Sequence, residues 1–449
     1  MGVSKFSKKI YKGENNNNPF IMTVIVIVMI MYNAINTYYN EDVYKLVDTG
    51  IREIIRIEGY VRKMDLLPET SLKMNLFSII SAACLLIIFS ATIYIREKGK
   101  KVSCMFYSGR SYSDALIFLI YNSMKSFLWG IGIGGIGGIL ISPLYNILLY
   151  NLIGESGKIF TFYIEGIGIL ILYLLLVITI SIVINWGFVY RKDTIGLMNL
   201  GAVKKVGDKR SIKIPWIIIV VLYMMPIITL ILFANINGVQ DIVGMFSYLS
   251  LGIIYWLITY SVSDMFKSLK KRDFMYRKNR IIYLGNAMKV IKESFAYMAI
   301  FLFMLIYTVN GVSEVIGEVG IKEALAISLI GIGICVSASL GYKLSVEFRH
   351  IKKRALQLSY IGFSDKQIIK CIKSEVIVTF LFTIFTPLII LMANLLAYVF
   401  QGDVTIRYAL AVMISVDIPI IGIAIIIAVY YSRKIKWELI ENKKQMQKC

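Results

Sequence analysis

Charge is scarce in this sequence, and histidine is almost missing. Asp, Glu, Lys and Arg make up 17% of the 449 residues, where soluble domains carry about 25%. His350 is the one histidine, so no pair of imidazoles is on hand for zinc and no Ser-His-Asp or Cys-His set can be assembled. A Walker motif is absent: Gly99-Lys100 is followed by Lys101, and Gly157-Lys158 by Ile159. No G-x-S-x-G elbow or H-E-x-x-H pair occurs either. The expectation is a chain with no catalytic site, metal or cofactor of its own. Any ATP that drives it is hydrolysed on another chain.

Apolar residues are abundant instead, at 57%, with a mean hydropathy of +0.71. Runs of about 20 apolar residues recur, each long enough to cross some 30 Å of hydrocarbon. Ten candidate spans follow, near 19–38, 74–95, 119–150, 163–190, 214–235, 244–262, 293–309, 323–344, 375–400 and 407–431. The expected fold is all-α and polytopic. An even count places both termini on one side; if that side is the cytoplasm, the inner segments hold 38 Lys and Arg against 11 acids, and the outer ones 9 against 12. Basic residues in short loops set orientation, so a plasma-membrane protein with both termini cytoplasmic is expected. Its basic face would meet anionic lipid. The net charge of +21 therefore needs no nucleic acid, and no fold that reads bases accompanies it.

Lys5, Lys8, Lys9 and Lys12 precede the first apolar run as in a signal sequence, but the run is long and MYNAINTYYN offers no small-x-small cleavage site. It reads as a retained span. The five cysteines, Cys84, Cys104, Cys335, Cys371 and Cys449, fall in spans or on the inner side and show no C-x-x-C spacing. No disulfide framework is expected.

Within the third span, GIGIGGIGG matches G-x-G-x-x-G at Gly132, Gly134 and Gly137. That fingerprint needs a strand before it and a helix opening after it, and here the flanks are apolar throughout. Gly130, Gly134 and Gly138 lie four apart and Gly134 and Gly137 three apart, which makes a smooth strip for close helix packing in lipid or for a sliding or hinge surface. Asp417 sits mid-span, two residues before Pro419. Intramembrane carboxylates usually face a bundle interior or a water path, so Asp417 is a candidate for ion coupling or for a buried hydrogen bond. Lys125, Glu165 and Glu293 lie near span ends and are expected to snorkel. The outer segment 39–73 carries Val43, Leu46, Val47, Ile54 and Val61 at helical spacing, as an amphipathic stalk would.

Two inner loops repeat. REKGKKVSCMFYSGRSYSDA from Arg96 lies over RHIKKRALQLSYIGFSDKQI from Arg349 at a constant shift of 253. Arg96 meets Arg349, Met105 meets Leu358, Tyr107 meets Tyr360, Gly109 meets Gly362, and Ser111 meets Ser364. The Gly suits a helix end that needs positive φ, and the Ser can cap the next helix. The expected element is a short helix on the membrane surface, a tight break, and a helix leading back in. The chain then divides into four-span halves at 1–200 and 286–449, with a two-span linker at 201–285. Internal repeats of this kind are common in transporters.

These loops resemble the FtsX-like permeases of ABC systems, whose loop reads roughly R-x-x-x-x-x-x-L-x-x-x-G-x-S with a Glu about a dozen residues beyond the Gly. Glu375 fits that Glu in the second copy; Asn122 stands there in the first. The ten-span arrangement looks like the bacitracin-export branch, except that the large extracellular domain between spans seven and eight is replaced by NGVSEVIGEVGIK. The resemblance implies coupling elements that dock on a cytoplasmic ABC ATPase dimer, through Arg96, Met105, Tyr107, Gly109 and Ser111 and through Arg349, Leu358, Tyr360, Gly362 and Ser364. It implies a permease subunit that moves amphipathic peptides or lipids, as in resistance to antimicrobial peptides. Two other readings stand beside it: an ion-coupled secondary transporter using Asp417, and a membrane scaffold for a sensor kinase.

Overall fold

A computed structural model describes residues 18–40, 67–153, 157–190, 215–234, 238–261, 280–310, 321–402 and 404–446. Most of the 39–73 stalk, and the inner segment 191–213, lie outside the described residues. Those that are described form helices with no strand among them. They are α1 (Asn18–Tyr38), α2 (Leu67–Tyr107), α3 (Tyr112–Ile153), α4 (Ile164–Tyr190), α5 (Trp216–Tyr223), α6 (Met225–Phe233), α7 (Val239–Trp256), α8 (Arg280–Glu293), α9 (Phe295–Asn310), α10 (Ile321–Tyr360), α11 (Asp365–Gln401) and α12 (Ile406–Met446). A π-turn, Leu257–Ser261, continues α7.

Eight of these helices are long and apolar enough to cross a membrane, and ten spans result if each of two bent pairs counts as one. The pairs are α5–α6, bent by 55°, and α8–α9, bent by 60°. The first break has a visible cause. Pro226 has no N–H to give to the preceding turn, and Met224, with φ −85° and ψ 4°, takes up the bend. The second break falls at Ser294, where neither Gly nor Pro occurs.

The chain packs as two compact units. One comprises 1–60 and 79–213, the other 61–78 and 214–449. The two spans between 214 and 261 pack within the second unit, where Ile219, Tyr223, Ile254 and Ile258 share a core with Met298, Leu302, Ile306 and Ile390. In the first unit α1 is the buried element: Phe20, Val24, Ile27, Val28 and Met31 are fully covered. By contrast α3, α4 and α12 show rows of exposed Ile and Leu, among them Leu140, Leu144, Ile171, Leu172, Ile414 and Ile418. A soluble protein would cover so much contiguous apolar surface; helices this long and apolar are what a bilayer would cover.

The short surface helix expected before each Gly does not exist as a separate piece. α2 and α10 run unbroken from span to turn, 41 and 40 residues, or about 60 Å each at 1.5 Å per residue. That is about twice the hydrocarbon thickness. Tertiary contact holds the extension helical: Val102 and Met105 of α2 are buried with Ala115, Phe118 and Leu119 of α3 and Val189 of α4.

Candidate functional site

Each repeated loop is a tight turn joining two long antiparallel helices, and the two turns have the same hydrogen bonds. At the end of α2, the amides of Ser108, Gly109 and Arg110 donate to the carbonyls of Cys104, Phe106 and Met105 at 3.1, 3.0 and 3.0 Å. At the end of α10, Ile361, Gly362 and Phe363 donate to Gln357, Ser359 and Leu358 at 3.1, 3.1 and 3.0 Å. Each donor and each acceptor is displaced by 253 residues. Gly109 and Gly362 have φ of 78° and 99°, the left-handed conformation that closes a Schellman cap. A serine then starts the next helix. Ser111 Oγ accepts from Asp114 N at 3.3 Å. Ser364 Oγ accepts from Gln367 N while Gln367 Oε1 accepts from Ser364 N, a complete capping box.

The surfaces of the turns carry aromatic residues. Tyr107 and Tyr360 are 65% and 64% exposed, and Ile361 is 74% exposed. Around Tyr107, Phe106 meets Tyr112 at 4.8 Å and Tyr112 stacks on Tyr190 at 6.0 Å. Arg96 is exposed on α2, and Arg349 lies on α10. Met105 is a correction. At 4% exposure it belongs to the hairpin core, not to a docking surface, because its position on α2 faces α3. Leu358 is partly buried. The large exposed side chains are Tyr107 and Tyr112 on one turn and Tyr360 and Ile361 on the other, beside the exposed Gly109, Ser111, Gly362 and Ser364.

The second hairpin also contains an ion pair. Arg354 on α10 reaches Glu375 on α11 through two hydrogen bonds, Nη2 to Oε1 at 2.9 Å and Nη1 to Oε2 at 3.4 Å. The Glu375 side chain is 5% exposed and that of Arg354 28%. Nearby, Lys343 pairs with Glu293 at 2.7 Å, and Lys289 approaches Glu347 at 3.5 Å and Glu293 at 3.9 Å. These charges tie α8, α10 and α11 together. Glu293 thus pairs with a neighbouring helix, where snorkelling was expected. In the first hairpin, Asn122 holds the place of Glu375 and its amide donates to Phe118 O at 2.9 Å, within its own helix.

The glycine strip of α3 lies against α1. A Cβ on Gly134 would come within 2.9 Å of Ile25 O and Val28 Cβ; one on Gly130 would meet Val24 at 2.7 Å, and one on Gly138 would meet Tyr32 at 2.9 Å. Gly137 faces the flexible end of Met29 at 2.6 Å. Gly132, from the nucleotide-like pattern, has nothing within 4 Å. The four-residue row does not stop at Gly138. It continues through Ser142, Asn146 and Tyr150, opposite Asn33 and Asn36 of α1 and Asn40 just past its end. Asn33 donates to Gly138 O at 3.4 Å, Asn36 to Ser142 Oγ at 3.1 Å, and Asn40 to Tyr150 Oη at 2.8 Å. The i+4 spacing carried that signal, had the glycine row been followed past its last glycine.

Asp417 is half-buried on α12, beside Val416, which lies near Gly333 of α10. Among the described residues it makes no ion pair or hydrogen bond. No group of three or more His, Cys, Asp or Glu among the described residues could hold a metal.

No family model matches the chain, and no curated protein matches it.

Proposed function

We propose that this chain is the membrane-spanning permease subunit of an ABC transporter, built from two FtsX-like halves. A cytoplasmic ATPase dimer docks on the turns at Gly109 and Gly362. Its closure on ATP pulls the α2–α3 and α10–α11 hairpins, and the spans continuous with them move amphipathic peptides or lipids at the plasma membrane. The supporting observation is the pair of turns with matching hydrogen bonds 253 residues apart, each at the tip of an unbroken helical hairpin that extends past its span. A helix about 60 Å long transmits a push at its tip without a joint that would absorb it. The exposed Tyr107 and Tyr360 offer aromatic anchors of the type that dominates protein interfaces.

The test is co-purification with a candidate ABC ATPase co-expressed with this chain. Tyr107→Ala and Tyr360→Ala leave the buried core intact, so folding survives. Loss of the ATPase, by about tenfold or more in affinity for a lost hot spot, is expected. Retention of full affinity in the double variant would remove the docking assignment. Asp417→Asn tests the ion-coupled alternative, because that reading requires transport by the chain without any ATPase and loss of that transport in the variant.

A further inference from the structure

Residues 157–163, the described part of the connection between α3 and α4, are not helical, yet they expose apolar side chains while the carbonyls of Ile159 and Thr161 are satisfied by protein. Phe160 and Ile164 are 83% and 78% exposed, and Phe162 is 56% exposed. The backbone beneath them is held by buried amides. Asn146 Nδ2 donates to Ile159 O at 2.9 Å and to Thr161 Oγ1 at 2.8 Å. Asn36 Nδ2 donates to Thr161 Oγ1 at 2.8 Å and to Thr161 O at 3.3 Å. Gly157 closes the loop: a Cβ there would overlap the ring of Tyr150, which Asn40 holds in place.

Irregular backbone meets lipid only where protein satisfies its carbonyls, and this loop meets that condition at Ile159 and Thr161. The lengths agree. α4 has 27 residues, or about 40 Å, which matches the roughly 40–45 Å of hydrocarbon plus headgroup layers. With Tyr190, its last residue, at one interface, Ile164 reaches the opposite one. The exposed side chains also continue the apolar faces of α3 and α4, through Leu144, Leu148 and Ile171. We infer that residues 159–164 form a lipid-inserted loop, with Phe160, Phe162 and Ile164 set into the interfacial layer of the leaflet opposite the Gly109 turn. Its occupant is bilayer lipid. The inference needs only that the chain spans a membrane, and it stands or falls separately from the ATPase reading.

Single variants Phe160→Cys, Phe162→Cys and Lys158→Cys in the full chain test it after reconstitution into lipid nanodiscs. A charged, water-soluble maleimide is added, and labelling is read at peptide level by mass spectrometry, which separates these sites from the native cysteines. Cysteines at 160 and 162 are expected to react about tenfold more slowly than at 158, because aromatic positions at this depth are withdrawn from water. Equal rates at all three sites overturn the inference. So does rapid labelling in nanodiscs combined with protection in intact cells, since another protein would then cover the loop. Each aromatic side chain is exposed in the protein, so its loss removes little packing, and agreement between positions 160 and 162 guards against one variant that folds badly.

Discussion

Replacing Arg354 with methionine should destabilise the second unit by an amount that the structure bounds. Methionine keeps most of the apolar stem and removes the guanidinium, which leaves the Glu375 carboxylate at 5% exposure with neither of its two hydrogen bonds. Removing one partner of a fully buried pair costs about 3–5 kcal/mol. The Arg354 side chain is 28% exposed, so water reaches one side of the pair and screens it, and about 2–3 kcal/mol is the expected loss. For a unit of this size each kcal/mol moves the midpoint by about 2–4 °C, so melting of the detergent-solubilised protein should fall by about 5–10 °C. The decisive variant is the double one, Arg354→Met with Glu375→Gln. With no uncompensated charge left, only a neutral amide is unpaired, and the double variant should be more stable than the sum of the two single losses predicts. A double-mutant cycle reads this as a coupling energy of about 1–2 kcal/mol. Additive losses, or an Arg354→Met midpoint within about 1 °C of the parent, would refute the claim that this pair braces the hairpin.

Two further predictions concern glycine. Alanine at Gly134 should destabilise by about 1–3 kcal/mol, because its methyl meets the backbone of α1, which cannot give way; alanine at Gly132 faces open space and should be neutral or stabilising by up to about 1 kcal/mol. Thermal melting of the two variants, two residues apart, checks the order, and equal effects would deny that α1 covers this strip. Gly362→Ala also faces open space, but at φ 99° it should cost about 1–2 kcal/mol through backbone strain alone. Gly362→Asn, which tolerates that region better, should recover part of the loss.

Hydropathy made most of the spans legible, since long apolar runs between basic loops leave few alternatives. The turn at Gly362 was legible for the same local reason: a positive-φ glycine followed by a capping serine is written within three residues. What stayed hidden depended on distance. Glu375 stood out by position, but its partner Arg354 is 21 residues away, and no local pattern pairs them. Asn33, Asn36 and Asn40 read as plain polar residues at the end of a span, because the carbonyls and hydroxyls that receive them lie more than a hundred residues on. The unbroken course of α2 could not be read from a basic cluster that looks like a membrane boundary. Burial of Val102 and Met105 against the next two helices decided it. The break at Ser294 shows no local cause, and its sequence gave no warning.

The seam between α1 and α3 has one more consequence. Glycine contacts grip α1 along one half and amide bonds along the other, so the two helices cannot slide past each other without breaking the whole row. They turn as one beam. A displacement applied at the Gly109 tip is therefore inherited by α1, although nearly ninety residues separate Gly109 from Phe20 in the chain. A fluorophore attached ahead of Asn18 would then register any displacement of the α2–α3 hairpin, against which Phe20 packs at Tyr94 and Phe127.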